Sequence, residues 1–505
     1  MRKRRIFLWI VPLSLVSLVL FQLTQSPKAE SCAILHVTVI DVTGGEPALN
    51  QTVLITANRI IAMGETGQII VPPGANVIDA TGKFLIPGLW DMHVHILQRE
   101  RHKEFFPLLI ANGVTGIRDM GSPPDQIEAI KRLRKQIEEG DVLGPRIVAA
   151  GPMVDGPNPM FPELSVAVSN EAEARQTVRD LQSSGADFIK VYSLLPRSAY
   201  FALADEAKQR NIPFAGHVPE SVSALEASDA GQRSIEHLSG VRLACSANET
   251  ELRQKLVEAR SKSDASLLYQ ALRYVYAKSR ETYSEEKADA LFARFVANDT
   301  WQVPTLVVAR FVAQANSNPG EKTDVLQSNE MMNHNACAKG LTQDEFESVS
   351  TSAQSGFDLV IAMKRAGVKF MAGTDAPNPF VTPGPSLHDE LELLVQAGFT
   401  PLEALQSATR NPAEYLGRLD RLGTIEEGKL ADLVLLDANP IEDIRNARKI
   451  WAVVLNGKIL LRPQLDELSL RDADQRRSGE FLKRHYGQVF VCFPAGDCPC
   501  RRGHR

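Results

Sequence analysis

The sequence predicts an α/β protein: a (β/α)8 barrel with a small β-sandwich domain built from both ends of the chain. Three observations predict it. Alternation of apolar and polar residues between Gly-rich turns is confined to two terminal stretches. The long middle instead alternates short apolar strands with helical patterns, which is the signature of parallel βαβ units. Eight strand candidates fall in that middle, the number of a closed barrel.

At the amino terminus Arg2, Lys3, Arg4 and Arg5 precede an apolar run from Ile6 to Leu23, broken only by Pro12, a few serines and Gln22. A basic start followed by such a run is an export signal, and this run approaches the roughly 20 residues that span a bilayer. Residues 1–31 are expected to be a signal peptide or an N-terminal membrane anchor. Gln25 to Glu30 offers no clear small-residue cleavage site, which leans toward the anchor. The basic side stays in the cytoplasm, so the rest is expected to be extracytoplasmic, periplasmic or secreted.

Residues 33–86 read as a small antiparallel sheet, as in Ile34-Leu-His-Val-Thr-Val-Ile40. Residues 417–465 have the same character, with Ala431-Asp-Leu-Val-Leu-Leu436, Trp451-Ala-Val-Val-Leu455 and the turn Asn456-Gly457. Together they are expected to form one composite sandwich. Between them, residues 87–416 hold the barrel strands at 88–95, 113–120, 145–151, 187–192, 213–218, 233–238, 301–306 and 368–375. Helical insertions at 239–300 and 310–355 are too long for simple crossovers and read as lids or substrate walls, or else as decoration or a dimer contact. The tail, 466–505, carries Cys492, Cys498 and Cys500, which read as a disulfide loop or as a zinc knuckle completed by His504.

A net charge of −5 gives no footprint for nucleic acid, and 44% hydrophobic with 23% charged residues excludes general disorder. A small-molecule substrate is the expected partner. Six cysteines fit an oxidising compartment.

The chemistry is written at the strand ends. In Asp91-Met-His93-Val-His95 the two histidines share one side of a strand and can grip a divalent ion, with Asp91 behind them or simply buried. Lys190, His217, His237 and Asp375 then terminate later apolar strands. A buried lysine with no use is costly. A neutral one can take up carbon dioxide as a carbamate, an anion that bridges two metals. One such placement is cheap; this many in barrel order point to a metal site.

These residues, with Phe84-Leu-Ile-Pro-Gly-Leu-Trp-Asp-Met-His-Val-His95, Thr409-Arg-Asn-Pro-Ala413 and Gly423-Thr-Ile-Glu-Glu-Gly-Lys-Leu-Ala-Asp-Leu-Val434, resemble the amidohydrolase superfamily. The likeness runs from about Ala33 to Leu461 and is greatest to the imidazolonepropionase-like and Xaa-Pro dipeptidase-like branches. It implies a TIM barrel in which His93, His95 and Asp375 hold the more buried metal and His217 and His237 the more exposed one, bridged by carbamylated Lys190 and a hydroxide. The implied cofactors are two divalent ions, with Zn2+ the default. It also implies that Asp375 moves the proton from the nucleophile to the leaving group.

Tyr192, two residues after Lys190, is a candidate donor to a developing oxyanion, or a packed core residue. Arg118 either binds a substrate carboxylate or, as favoured here, pairs with Asp119. His388 is expected to cap a helix or line the pocket rim. The expected reaction is hydrolysis of an amide or peptide C–N bond in a small substrate: a dipeptide ending in proline or a basic residue, or an N-acyl amino acid. The alternative is a mononuclear deaminase or cyclic-amide hydrolase in which Glu220, in His217-Val-Pro-Glu220, moves the protons. A non-catalytic binding protein is disfavoured because no ligand is missing. Whether the chain forms a homo-oligomer is left open.

Overall fold

A computed structural model describes residues 31–98, 100–262, 265–308, 310, 356–378 and 381–468. The expected export segment, almost all of the second insertion, and the cysteine-bearing tail lie outside the described residues. In chain order the strands are β1 (Ser31–Val39), β2 (Ala48–Thr56), β3 (Arg59–Glu65), β4 (Asn76–Asp79), β5 (Phe84–Pro87), β6 (Leu89–Val94), β7 (Val114–Asp119) and β8 (Arg146–Ala149). There follow β9 (Met153–Asp155), β10 (Ser165–Ala167), β11 (Ile189–Val191), β12 (Phe214–Gly216), β13 (Ser234–Glu236), β14 (Trp301–Val303), β15 (Leu433–Leu436), β16 (Ile450–Leu455) and β17 (Lys458–Leu461).

Both ends of the chain contribute to one eight-stranded sheet, ordered β17-β16-β15-β5-β1-β2-β3, with β4 also on β1. The antiparallel sheet expected over 33–86 is in fact mixed. Ala57, at φ 53°, opens a two-residue turn that makes β2 and β3 antiparallel. The longer return through residues 66–75 lets β4 and then β5 lie parallel along the other edge of β1. Successive residues face opposite sides of a strand. Accordingly Leu433 and Leu435 pack with Ile34, Val53 and Leu85, whereas Val434 and Leu436 belong to the main core. Burial of both faces explains why β15 reads as an unbroken apolar run.

β5 passes through Gly88 directly into β6, which opens the parallel part of the fold. Here β6, β7 and β8 pair in parallel, and a six-stranded sheet runs β10-β9-β11-β12-β13-β14. Backbone bonds join the two sheets on both sides. The Asp187 amide donates to the Ala149 carbonyl at 3.0 Å. Phe370 bridges Gln302 of β14, and the Met92 and Asp375 amides bond Ala372 and His93 across the remaining gap. The eighth expected strand is therefore present as bridges at Phe370 and Ala376 rather than as a regular strand. β9 and β10 were not anticipated; each is three residues long, too short to show a period.

The first insertion is helical as expected, over Val241–Ala244, Glu249–Ser261, Ala265–Glu281 and Glu285–Ala297. Leu252, Leu256, Leu272 and Val275 give it a small core of its own. Arg253 fastens it to the loop after β12 by donating to the carbonyls of Glu220 and Val222 at 2.9 and 2.7 Å. Among the described residues no helix is long and apolar enough to cross a membrane, and the described cysteines, Cys32 and Cys245, are free and buried.

Candidate metal centre

All six residues of β6 are buried, and strand alternation turns Asp91 and His93 to one side, with His95 just beyond. His93 and His95 place their Nε2 atoms 3.4 and 3.3 Å from Asp375 Oδ1, and His237 Nε2 lies 3.9 Å from Asp375 Oδ2. Candidate ligand atoms of His93, His237 and Asp375 all fall within 4.8 Å of one another. His217 adjoins them, its ring centred 5.0 Å from that of His237. Lys190, on β11, is fully buried, with Nζ lacking a hydrogen-bond partner. Glu236 and Asp375 are close enough to act electrostatically on it.

The Nδ1 atoms are all occupied: His93 by Glu236 at 2.8 Å, His95 by the Gly121 carbonyl at 3.4 Å, His217 by Ser193 Oγ at 2.8 Å and His237 by Thr305 Oγ1 at 2.7 Å. A carboxylate and a carbonyl can only accept, so His93 and His95 carry a proton on Nδ1 and turn Nε2 toward Asp375. His93 Nε2 has no hydrogen-bond partner although it is buried. Three Nε2 atoms converging on one carboxylate suit a divalent cation, and each imidazole already has the outer partner that orients a metal ligand.

The electrostatics agree with that use. Burial, with Lys190 nearby, holds His93 and His217 well below the ordinary imidazole range, so both are neutral as ligands must be. Burial also brings the Lys190 amine down to about 8, against the opposing pull of Glu236 and Asp375. For Asp375 burial works upward but His237 and His95 prevail, and the carboxyl lies below its usual value. Three residues here adopt the left-handed backbone that L side chains rarely take: His237 at φ 58°, Thr305 at 48° and Asp375 at 62°. Such conformations cost about 1–3 kcal/mol each and persist where surrounding contacts impose them, commonly at functional sites.

All six ligand candidates are thus buried or half-buried at neighbouring strand ends. Other expectations need correction. Arg118 neither pairs with Asp119 nor is open to a substrate. It is wholly buried and donates to Glu236, while Asp119 accepts the amides of Ile96, Leu97 and Gly121. Both sit on β7, where adjacent side chains point to opposite faces. His388 neither caps a helix nor lines a rim: Gly384 precedes that helix, and His388 Nε2 bonds the Asn112 carbonyl at 3.0 Å inside the core. Asp91 ties β6 to the segment before Asp375, accepting the Thr374 hydroxyl at 2.6 Å and amide at 3.0 Å. Glu220 is engaged by the Arg260 guanidinium through both oxygens. Tyr192 is buried with its ring centred 4.1 Å from that of His217.

Glu236, Ser193, Thr305 and Thr374 were not foreseen. A signal existed for Glu236: with Ser234 it alternates on one side of an apolar strand, and a buried carboxylate there calls for a cation.

The model of the Amidohydrolase family matches residues 84–460. The ochratoxinase of Aspergillus niger is 23% identical, over 83% of this chain and 84% of that protein. Among solved structures, a bottromycin amidohydrolase superposes with a TM-score of 0.67 at 24% identity, covering 90% of this chain and 92% of its own. A Xaa-Pro dipeptidase with methionine bound in its active site gives 0.62 at 22% identity, covering 86% and 100%. These likenesses show a TIM-barrel-like α/β fold.

Proposed function

The chain belongs to the amidohydrolase family, and from that premise we propose that it hydrolyses the amide or peptide bond of a small substrate at a centre of two divalent cations. His93, His95 and Asp375 would hold one, His217 and His237 the other, and Lys190, as its carbamate, would span them. Zn2+ is the cation best suited to this histidine-rich set. We read the surrounding parallel strands as a closed (β/α)8 barrel, with the mixed terminal sheet as a separate composite domain.

Bound divalent cations supply an acidified water and polarise the scissile carbonyl. The chain's own residues do the rest. The four imidazoles, locked through Nδ1, keep the centre rigid. Asp375, poised between His93, His95 and His237, takes the proton of the attacking water and returns it to the leaving nitrogen. Tyr192, beside His217, donates to the carbonyl oxygen as charge develops there.

The observation that carries this reading is the convergence of three Nε2 atoms on Asp375 beside a buried, unpartnered Lys190 Nζ. The engagement of Glu220 by Arg260 weighs against Glu220 as the proton carrier. The likeness to a Xaa-Pro dipeptidase supports a dipeptide as substrate, and an N-acyl amino acid presents the same kind of bond. The basic and apolar start of the chain supports work outside the cytoplasm, with the first residues as a cleaved signal or an anchor.

The test is a panel of dipeptides, including Xaa-Pro and Xaa-Arg, and N-acyl amino acids incubated with zinc-loaded protein. Release of a free amino acid, abolished by a chelator and restored by zinc, is the expected result. Ammonia released from amino-substituted rings, with no dipeptide cleaved, would favour the deaminase reading instead.

A further inference from the structure

Three of the four histidines rest Nδ1 on uncharged partners, a carbonyl at His95 and hydroxyls at His217 and His237. His93 alone faces a carboxylate. That carboxylate, Glu236, has no exposure to solvent, and it accepts Ser234 Oγ at 2.5 Å and two bonds from Arg118 at 2.9 and 3.0 Å. Arg118, equally buried, is held in turn by the Met92 carbonyl at 2.7 Å and Tyr415 Oη at 3.2 Å, with the rings of Phe188 and Tyr415 against it.

A hydrogen bond from imidazole N–H to a carboxylate pushes electron density to the far nitrogen and strengthens it as a ligand more than a bond to a neutral oxygen does. A buried carboxylate needs a compensating charge, and the Arg118 fork supplies it. We infer that Arg118 and Glu236 are positioning residues that make the two cation positions unequal, so that the position served by His93 binds more tightly and fills first. Arg118 spans from β7 to β13, so the same contact also fixes the spacing of His93 and His237. This inference rests on the two-cation reading above.

The test is titration of the metal-free full-length protein with zinc against a chromogenic chelator, with circular dichroism as the check on folding. The wild type is expected to take up two equivalents, one tighter than the other. Glu236→Gln should weaken the tight equivalent by about 10–100-fold and leave the other in place. Thr305→Val, which removes the partner of His237, should weaken only the looser one. If Glu236→Gln fails to fold because Arg118 is left uncompensated, the double replacement Arg118→Met with Glu236→Gln removes both charges and serves the same comparison. Equal weakening of both equivalents, or of neither, overturns the inference. A wild type that binds a single equivalent overturns the two-cation reading itself, and shows this before any variant is made.

Discussion

The Nε2 of His95 lies 3.3 Å from Oδ1 of Asp375, so the end of β6 and the segment after Phe370 meet at one carboxylate. If that carboxylate carries the proton of the reaction, Asp375→Asn keeps its shape but removes its basicity. The expected loss in kcat is about 10²–10⁴-fold, read as hydrolysis of the best substrate of the panel with the far-UV spectrum unchanged. Activity within tenfold of wild type would exclude Asp375 from that role.

Glu220 separates the two chemical readings. Held by Arg260 through both oxygens, it is expected to become glutamine with kcat kept within about tenfold. A proton carrier at that position would instead lose about 10²–10⁴-fold, and steady-state kinetics of Glu220→Gln decides between them.

Gly373 has no room for a side chain: a Cβ would stand 2.6 Å from Val303 Cγ1 and 2.8 Å from His93 Cβ. Gly373→Ala must push β6 away from its neighbour. It is expected to lower stability by about 1–3 kcal/mol, as overpacking does, and to lower the bound metal with it. Urea unfolding and metal content of the variant, measured together, check this; a fully loaded variant of unchanged midpoint contradicts it.

His388 predicts acid sensitivity away from the centre. Burial, helped by Arg448, brings its imidazole down to about 4 from 6.5. The folded state thus refuses a proton that the unfolded chain accepts. Its contribution is full above pH 6.5 and is lost as pH falls through about 4, a span worth on the order of 3 kcal/mol. His388→Gln should flatten unfolding midpoints between pH 6.5 and 4 relative to wild type. An unchanged slope would place the acid sensitivity elsewhere.

Much of the cluster was legible because imidazole, amine and carboxylate side chains seldom end apolar strands: His93, His95, Lys190, His217, His237 and Asp375 were picked out that way, and the fold brings them to neighbouring strand ends. The alternation of β6 and the turn at Asn456-Gly457 were equally plain. What the sequence hid were relationships across the fold. Arg118 and Asp119 are neighbours in the chain but point to opposite faces of β7, so the partner of Arg118 lies on β13 and nothing local names it. His388 reads as a helix-start residue only until the Asn112 carbonyl is brought against it. The parallel approach of β4 and β5 to β1 depends on the path of residues 66–75, which no periodicity records. The left-handed backbone at His237 and Asp375 is likewise invisible to pattern, because histidine and aspartate tolerate it better than most residues but adopt it only where contacts across the fold impose it.

The number of metal ions bound per chain separates a paired centre from a single-ion one. The direct measurement is the metal-to-protein ratio of the purified chain, produced with zinc and bicarbonate supplied, by elemental analysis. Two ions per chain, falling toward one or none in Lys190→Ala, is the predicted result. A wild-type ratio of one would contradict the paired centre, and a ratio of zero with unimpaired hydrolysis would contradict metal-dependent catalysis altogether.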